Sequence, residues 1–197
     1  MYDNLGVVLQ NYATQNHLVA ITNTMSLGPI PETITGSCLC TALRYKITFP
    51  PSHDFAAASR LCQCTQCRKQ TGGLFLAVFF IPASALAWTT PTEALKTYSA
   101  TPGAQRGFCG SCGSFLYWRS DEGKGLSLSI GTVDPLYLFG EGANEKGGEV
   151  PEGGFGKALC NGLGGTEWCL NEVKGVTDDM PLLHAGKRYQ EDSDVVG

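Results

Sequence analysis

Charged side chains are scarce in this sequence. Asp, Glu, Lys and Arg make up 16% of it, against roughly 25% in an ordinary globular chain. No basic run stands out, and the formal net charge is −4, so the electrostatic footprint of a nucleic-acid-binding protein is missing. Nor does any apolar run approach the length of a membrane span. The first ten residues carry only an apolar patch at 5–9, without a basic start, which is too short for the core of a secretory signal. There is no nucleophile-elbow pattern around a serine, no glycine motif built to cradle phosphate, and no internal repeat. Serine hydrolases, nucleotide-binding folds and solenoids are thereby set aside.

Glycine and cysteine are plentiful instead. The chain has 25 glycines in 197 residues, about twice the usual share, which makes it rich in turns. Its length suits one domain with a hydrophobic core of its own. The nine cysteines are Cys38, Cys40, Cys62, Cys64, Cys67, Cys109, Cys112, Cys160 and Cys169. An odd count, with C-x-C and C-x-x-C pairs, is the spacing of metal chelation rather than of a disulfide scaffold. Thiolates that hold metal must stay reduced, so a cytoplasmic location is expected.

Residues 1–35 give mixed signals and are read as an N-terminal extension, with a turn or two of helix over 7–18 ended by Pro29 and Pro31. The domain itself is placed at 36–190, followed by a tail at 191–197. Leu43, Tyr45, Ile47 and Phe49 alternate with Arg44, Lys46 and Thr48, the period of a half-buried strand, until Pro50 and Pro51 stop it. Residues 74–81, apolar and rich in aromatic and β-branched side chains, predict a buried strand closed by Pro82. Pro102 and Gly103 mark a hairpin turn that delivers F-C-G-S-C-G at 108–113, a zinc-knuckle turn. Residues 115–118, then Leu126, Leu128 and Ile130, add two strands, and the chain is mostly β. Residues 140–165 are so rich in glycine that a long, partly mobile insertion is expected there. Order returns near Trp168.

The cysteines suggest two metal sites. Cys38 and Cys40 with Cys109 and Cys112 supply four sulfurs, the complement of a closed structural zinc. Cys62, Cys64 and Cys67 supply three, which leaves one tetrahedral position and so suits an active-site zinc. The alternative is a second structural site closed by Cys160 or Cys169. His17, His53 and His184 are scattered, and isolated histidines are usually surface or core groups. Arg68 and Lys69 follow Cys67 directly. A solvated charged face is their ordinary reading, but positive charge there would lower thiol pKa and attract a carboxylate such as that of glutathione.

The segments G-S-C-L-C-T-A-L-R-Y, C-Q-C-T-Q-C-R-K-Q-T-G-G and R-G-F-C-G-S-C-G-S-F-L-Y, followed by I-G-T-V-D at 130–134, resemble the glutathione-dependent formaldehyde-activating enzyme family. That family shares its domain with centromere protein V and its fold with the Mss4-like β proteins. The resemblance covers roughly 36–134. It implies a zinc-bound β-sheet fold, two zinc ions per chain, the structural one on Cys38, Cys40, Cys109 and Cys112, and the active-site one on Cys62, Cys64 and Cys67. Members commonly carry His where this chain has Gln63, and Gly where it has Thr41.

Three thiolates on Zn²⁺ leave a formal charge of −1, a weak Lewis acid but a soft centre that prefers sulfur. The expected function is therefore a carbon–sulfur lyase-like enzyme that makes or breaks a bond between a thiol such as glutathione and a small carbonyl-type electrophile. A specialised pathway with a larger carbonyl or thioether substrate fits as well. The alternative is a non-catalytic, zinc-stabilised binding module of the Mss4-like or centromere protein V type. The expected partners are small molecules, with neither nucleic acid nor membrane.

Overall fold

The computed structural model describes residues 26–143 and 151–192. The helix expected over 7–18 lies outside them. As expected, the chain is mostly β. Two sheets build it, with three strands in the smaller and seven in the larger.

The smaller sheet pairs β1 (Thr33–Ser37) with β2 (Arg44–Thr48), and β2 with β5 (Leu86–Trp88), all antiparallel. The alternation read from 43–49 is realised: Leu43, Tyr45, Ile47 and Phe49 are buried. The larger sheet contains β3 (Ser59–Cys62), β4 (Leu76–Pro82), β6 (Leu95–Tyr98), β7 (Ala104–Cys109), β8 (Phe115–Ser120), β9 (Gly125–Ser129) and β10 (Gly165–Glu167). Its order is β10-β3-β4-β9-β8-β7-β6. β4 begins two residues later than the apolar run, because Leu74 is 46% exposed and sits outside the strand. Pro82 occupies its last position, where a missing N–H does least harm.

One core joins the sheets, with Ile34, Tyr45 and Ile47 from the smaller packed in the same cluster as Phe79, Ile81, Leu116 and Leu128 from the larger. A second, smaller cluster of Leu76, Val78 and Phe115 lies with Cys67 and Trp118 at its margin. Among the described residues four short α-helices fill connections: α1 (Phe55–Ala58), α2 (Thr65–Thr71), α3 (Pro135–Phe139) and α4 (Gly156–Leu159). Asp54 caps α1 by accepting from the amides of Ala56 and Ala57 at 3.0 Å each. Among the described residues no helix is long and apolar enough to cross a membrane.

The glycine-rich segment departs from the expectation of a mobile insertion. Its stretch 144–150 lies outside the described residues, but residues 156–165 are packed. Ala158 and Leu159 of α4 are 1% and 0% exposed and belong to the main core. Asn161 donates to the carbonyls of Phe55 and Ala158 at 3.0 and 2.8 Å, while its Oδ1 accepts from Leu163 at 2.9 Å. The buried Ser59 hydroxyl accepts from the amides of Asn161 and Gly162. The glycines here serve close approach rather than freedom, since a Cβ on Gly164 would collide with the Ala57 carbonyl.

β10 then pairs parallel with β3, placing Gly165 beside Arg60 and Glu167 beside Cys62. The C-terminal strap beyond β10 is fastened by its own ion pairs. Arg188 meets Glu172 and holds that carboxyl below the usual range, first through their hydrogen bond. Leu183 and Thr177, both 0% exposed, are buried within the strap.

Asn161→Ala should cost about 3 kcal/mol, because it strands buried backbone groups on two segments. Chemical denaturation measures this directly. Hydrogen exchange should also find the amides of residues 159–162 protected like those of the strands.

Candidate metal centre

The four-sulfur group is assembled from two hairpins. Cys38 follows the end of β1, and Cys40 sits in the turn that leads to β2. Cys109 is the last residue of β7, and Cys112 lies in the turn before β8. The amide of Leu43 donates to Cys38 Sγ at 3.3 Å, and the Ser114 hydroxyl lies 3.2 Å from Cys112 Sγ. That hydroxyl, with the Ser114 amide, pulls the Cys112 thiol down to about 5. Ser114 Oγ also accepts from the amide of Leu39 at 2.9 Å, tying one cysteine turn to the other. Gly113 has φ 78°, which lets its amide return to the Cys109 carbonyl at 2.8 Å.

The three-sulfur group lies where β3 gives way to α2. Cys62 ends the strand, Cys64 is the N-cap residue of α2, and Cys67 falls in the first turn. The Cys67 amide donates to Cys64 Sγ at 3.3 Å, so the sulfur takes the capping role that a Ser or Asp oxygen usually fills. Gly72, at φ 71°, ends the helix with a bond back to the Arg68 carbonyl. β10 and the C-terminal strap that follows it brace the cluster: the Gln63 amide donates to the Glu167 carbonyl at 3.1 Å, and Arg68 Nη1 donates to the Asn171 carbonyl at 2.8 Å.

In each group the sulfurs lie within 4.8 Å of one another. Among the described residues no fourth Cys, His, Asp or Glu joins the three. Cys160 packs against the main core, and the Cys169 thiol donates to the Thr166 carbonyl at 3.4 Å, so neither closes this group. His53 is wedged against Phe49 and Phe55, and His184 lies beside Arg188. The crowding shapes the electrostatics. Bonds shared with Cys62, then Cys67, pull the Cys64 thiol far down, and the same sharing pushes Cys62 far up. One thiolate is stabilised by two neighbouring thiols.

Of the two cations singled out in the sequence, Arg68 is spent on the strap and Lys69 is exposed on the helix. Arg106 of β7 is the cation that the sequence reading missed. It is only 5% exposed and donates through Nη2 to Gln66 Oε1. After the hydrogen bond from Cys62, its charge is a further lowering influence on the Cys67 thiol, which Cys64 and burial nonetheless push up to about 12. Nothing in R-G-F-C marks it apart from other strand arginines. A cleft of about 360 Å³ lies between the end of α2 and the four-sulfur turn, lined by Gln70 and Thr71 and by Cys112, Gly113, Ser114, Gly131 and Thr132; it touches Cys112 but none of Cys62, Cys64 and Cys67.

The four-sulfur set has the spacing of a zinc site, and the three-sulfur set is compact enough to hold an ion. Sulfurs held 2.3 Å from a tetrahedral zinc stand about 3.8 Å apart. Cys38 and Cys40 are separated by 3.6 Å, and Cys40 and Cys109 by 3.8 Å, far beyond the roughly 2 Å of a disulfide.

The family model described as glutathione-dependent formaldehyde-activating enzyme matches residues 33–145. A protein of Sordaria macrospora, named "Putative glutathione-dependent formaldehyde-activating enzyme", is 31% identical over 67% of this chain and 48% of its own length. A Podospora anserina protein of the same name is 31% identical over 45% of this chain and 40% of its own. The chain thus spans about half the length or less of these curated relatives. A crystal structure of a Rhodobacter sphaeroides protein overlaps 60% of this chain and 98% of its own, at 24% identity and a TM-score of 0.43.

Thr41 carries strain in the turn between Cys40 and β2, with φ 61°, a conformation costly for a β-branched residue. Thr41→Gly should therefore raise stability by about 1 kcal/mol, read as an increase in the denaturation midpoint at unchanged metal content.

Proposed function

The chain belongs to the glutathione-dependent formaldehyde-activating enzyme family, and on that premise we propose that it is a zinc-dependent enzyme forming or cleaving a carbon–sulfur bond between a thiol and a small carbonyl-type electrophile. The observation that carries this reading is the pair of unequal sulfur groups. Cys38, Cys40, Cys109 and Cys112 make a complete tetrahedral set, whereas Cys62, Cys64 and Cys67 have no fourth protein donor among the described residues.

A zinc ion on the three sulfurs would supply a soft Lewis-acid centre with a position for an exogenous thiolate. The protein's own groups do the rest. The amides of Cys64 and Cys67 donate to Cys62 Sγ and Cys64 Sγ at 3.5 and 3.3 Å, and the second adds to the bonds from Cys62 and Cys67 that draw the Cys64 thiol down toward the thiolate. The cleft at the end of α2, which reaches Cys112 and not the three sulfurs themselves, carries hydroxyl and amide groups of Gln70, Thr71, Ser114 and Thr132 that suit the polar body of a thiol extending away from the site. Glutathione is the thiol that the relatives' names carry. The cleft's lining holds no Arg or Lys, which suits neutral amide groups better than carboxylates.

The competing reading is a zinc-stabilised binding module, in which both sulfur groups are structural. Cobalt substitution separates the two. With two cobalt ions per chain, glutathione should change the thiolate-to-metal absorption, and Cys67→Ser should remove that response while leaving one metal and a folded protein. A spectrum indifferent to every thiol and carbonyl tried would favour the binding module.

The two groups should also differ in what their loss does. Cys109→Ser should cost most of the fold, since metal binding there is folding free energy. Thermal denaturation with metal counting on both variants checks the contrast; unfolding of Cys67→Ser would make the three-sulfur group structural.

A further inference from the structure

Arg106 is buried with two of its three guanidinium nitrogens unpaired. Nη2 reaches Gln66 Oε1, but Nε and Nη1 have no hydrogen-bond partner among the described residues, and the side chain is 95% withdrawn from solvent, the complement of its 5% exposure. A buried guanidinium without a counter-charge is costly, so such a group is normally paired. Its surroundings are specific. Arg106 stands directly across from Trp118 in the β7–β8 ladder, and cross-strand partners project from the same face of a sheet. Trp118 in turn lies in the small cluster whose margin includes Cys67. Gln66, the residue that Arg106 grips, immediately precedes Cys67 in α2. The guanidinium is therefore held against the three-sulfur group from the sheet side, while Arg68 and Lys69 on the helix are turned to the strap and to solvent.

We propose that Arg106 is the buried counter-charge of the three-sulfur metal centre, a positioning residue that makes the loaded site neutral and orients the first turn of α2 through Gln66. The charges balance. Three thiolates and a divalent ion sum to −1, and one guanidinium brings the sum to zero. No such cation is needed at the four-sulfur group, where Cys40 is exposed and water can screen the charge. This inference rests on the reading of Cys62, Cys64 and Cys67 as a metal site. It adds a residue that contributes no ligand atom yet sets how strongly the ligands hold.

The test is metal affinity, with the four-sulfur group as an internal reference. Wild type, Arg106→Gln and Arg106→Lys are loaded with cobalt and titrated with a chelator, and the two sites are followed by absorption while circular dichroism reports the fold. Wild type should bind two ions. Arg106→Gln should weaken the more labile site by about 10–100-fold, the usual effect of removing a supporting group outside the ligand set, with the tighter site unchanged. Arg106→Lys, which keeps the charge, should stay within a few-fold of wild type. Should Arg106→Gln fail to fold, Gln66→Glu on the helix surface offers the guanidinium a rival carboxylate and should weaken the same site. Equal affinities in wild type and Arg106→Gln, or in wild type and Gln66→Glu, would overturn the inference alone, as would a lysine variant as weak as the glutamine one. A wild type that holds only one ion would overturn the metal reading itself.

Discussion

The convergence of four sulfurs from two distant turns is the constraint on which the architecture rests. Cys38 and Cys40 belong to the hairpin of the smaller sheet, Cys109 and Cys112 to a hairpin of the larger one. The sheets share apolar packing through Tyr45, Ile47, Phe79 and Leu128, but such contacts are non-directional and tolerate slippage. A tetrahedral donor set does not. Cys40 and Cys109, 3.8 Å apart, bring the two turns together, and Ser114 reinforces the same junction by accepting from Leu39. β7 and β8 are registered from this end, and they carry Arg106 and Trp118 to the second sulfur group.

That second group is held differently. Its ligands all come from residues 62–67, one strand end and one helical turn, so local geometry alone brings them together. β10 and the C-terminal strap supply the rigidity through Gln63 and Arg68. A sulfur set built this way can gain or lose a bound ion without dismantling the sheets, in keeping with the function proposed for it. The asymmetry between a stapling group and a cradled group is the physical basis for assigning them different tasks.

Much of this was legible beforehand. Alternation at 43–49 gave the buried face of β2, and the Pro102-Gly103 turn gave the β6–β7 hairpin, because both signals are short-range. The cysteine spacing gave the two groups, since a C-x-C or C-x-x-C pair converges without help from the rest of the fold. The C-terminal part of the glycine-rich segment, residues 156–165, packs where mobility was expected, because a glycine that permits close backbone approach, as at Gly164, looks the same in sequence as one that permits motion. α2 has no place in the sequence reading, although Cys64 as cap and Gly72 as terminator were both in view. The parallel β10 and the buried Arg106 depend on pairings across many tens of residues, and no local pattern announces them.

The parallel pairing of β10 with β3 has a consequence for the newly made chain. Gln63 finds its partner carbonyl on Glu167 only after the intervening hundred or so residues exist, and at about 5–20 residues per second that is an interval of roughly 5–20 s. Parallel closure over such a span is also slow in itself, since loop entropy must be lost before the contacts form. Throughout that interval Cys62, Cys64 and Cys67 are side by side without the strap that braces them. The nascent protein therefore passes through a stage in which three clustered thiols stand unbraced, and the order of synthesis makes the surroundings met during translation part of how this corner of the fold is made.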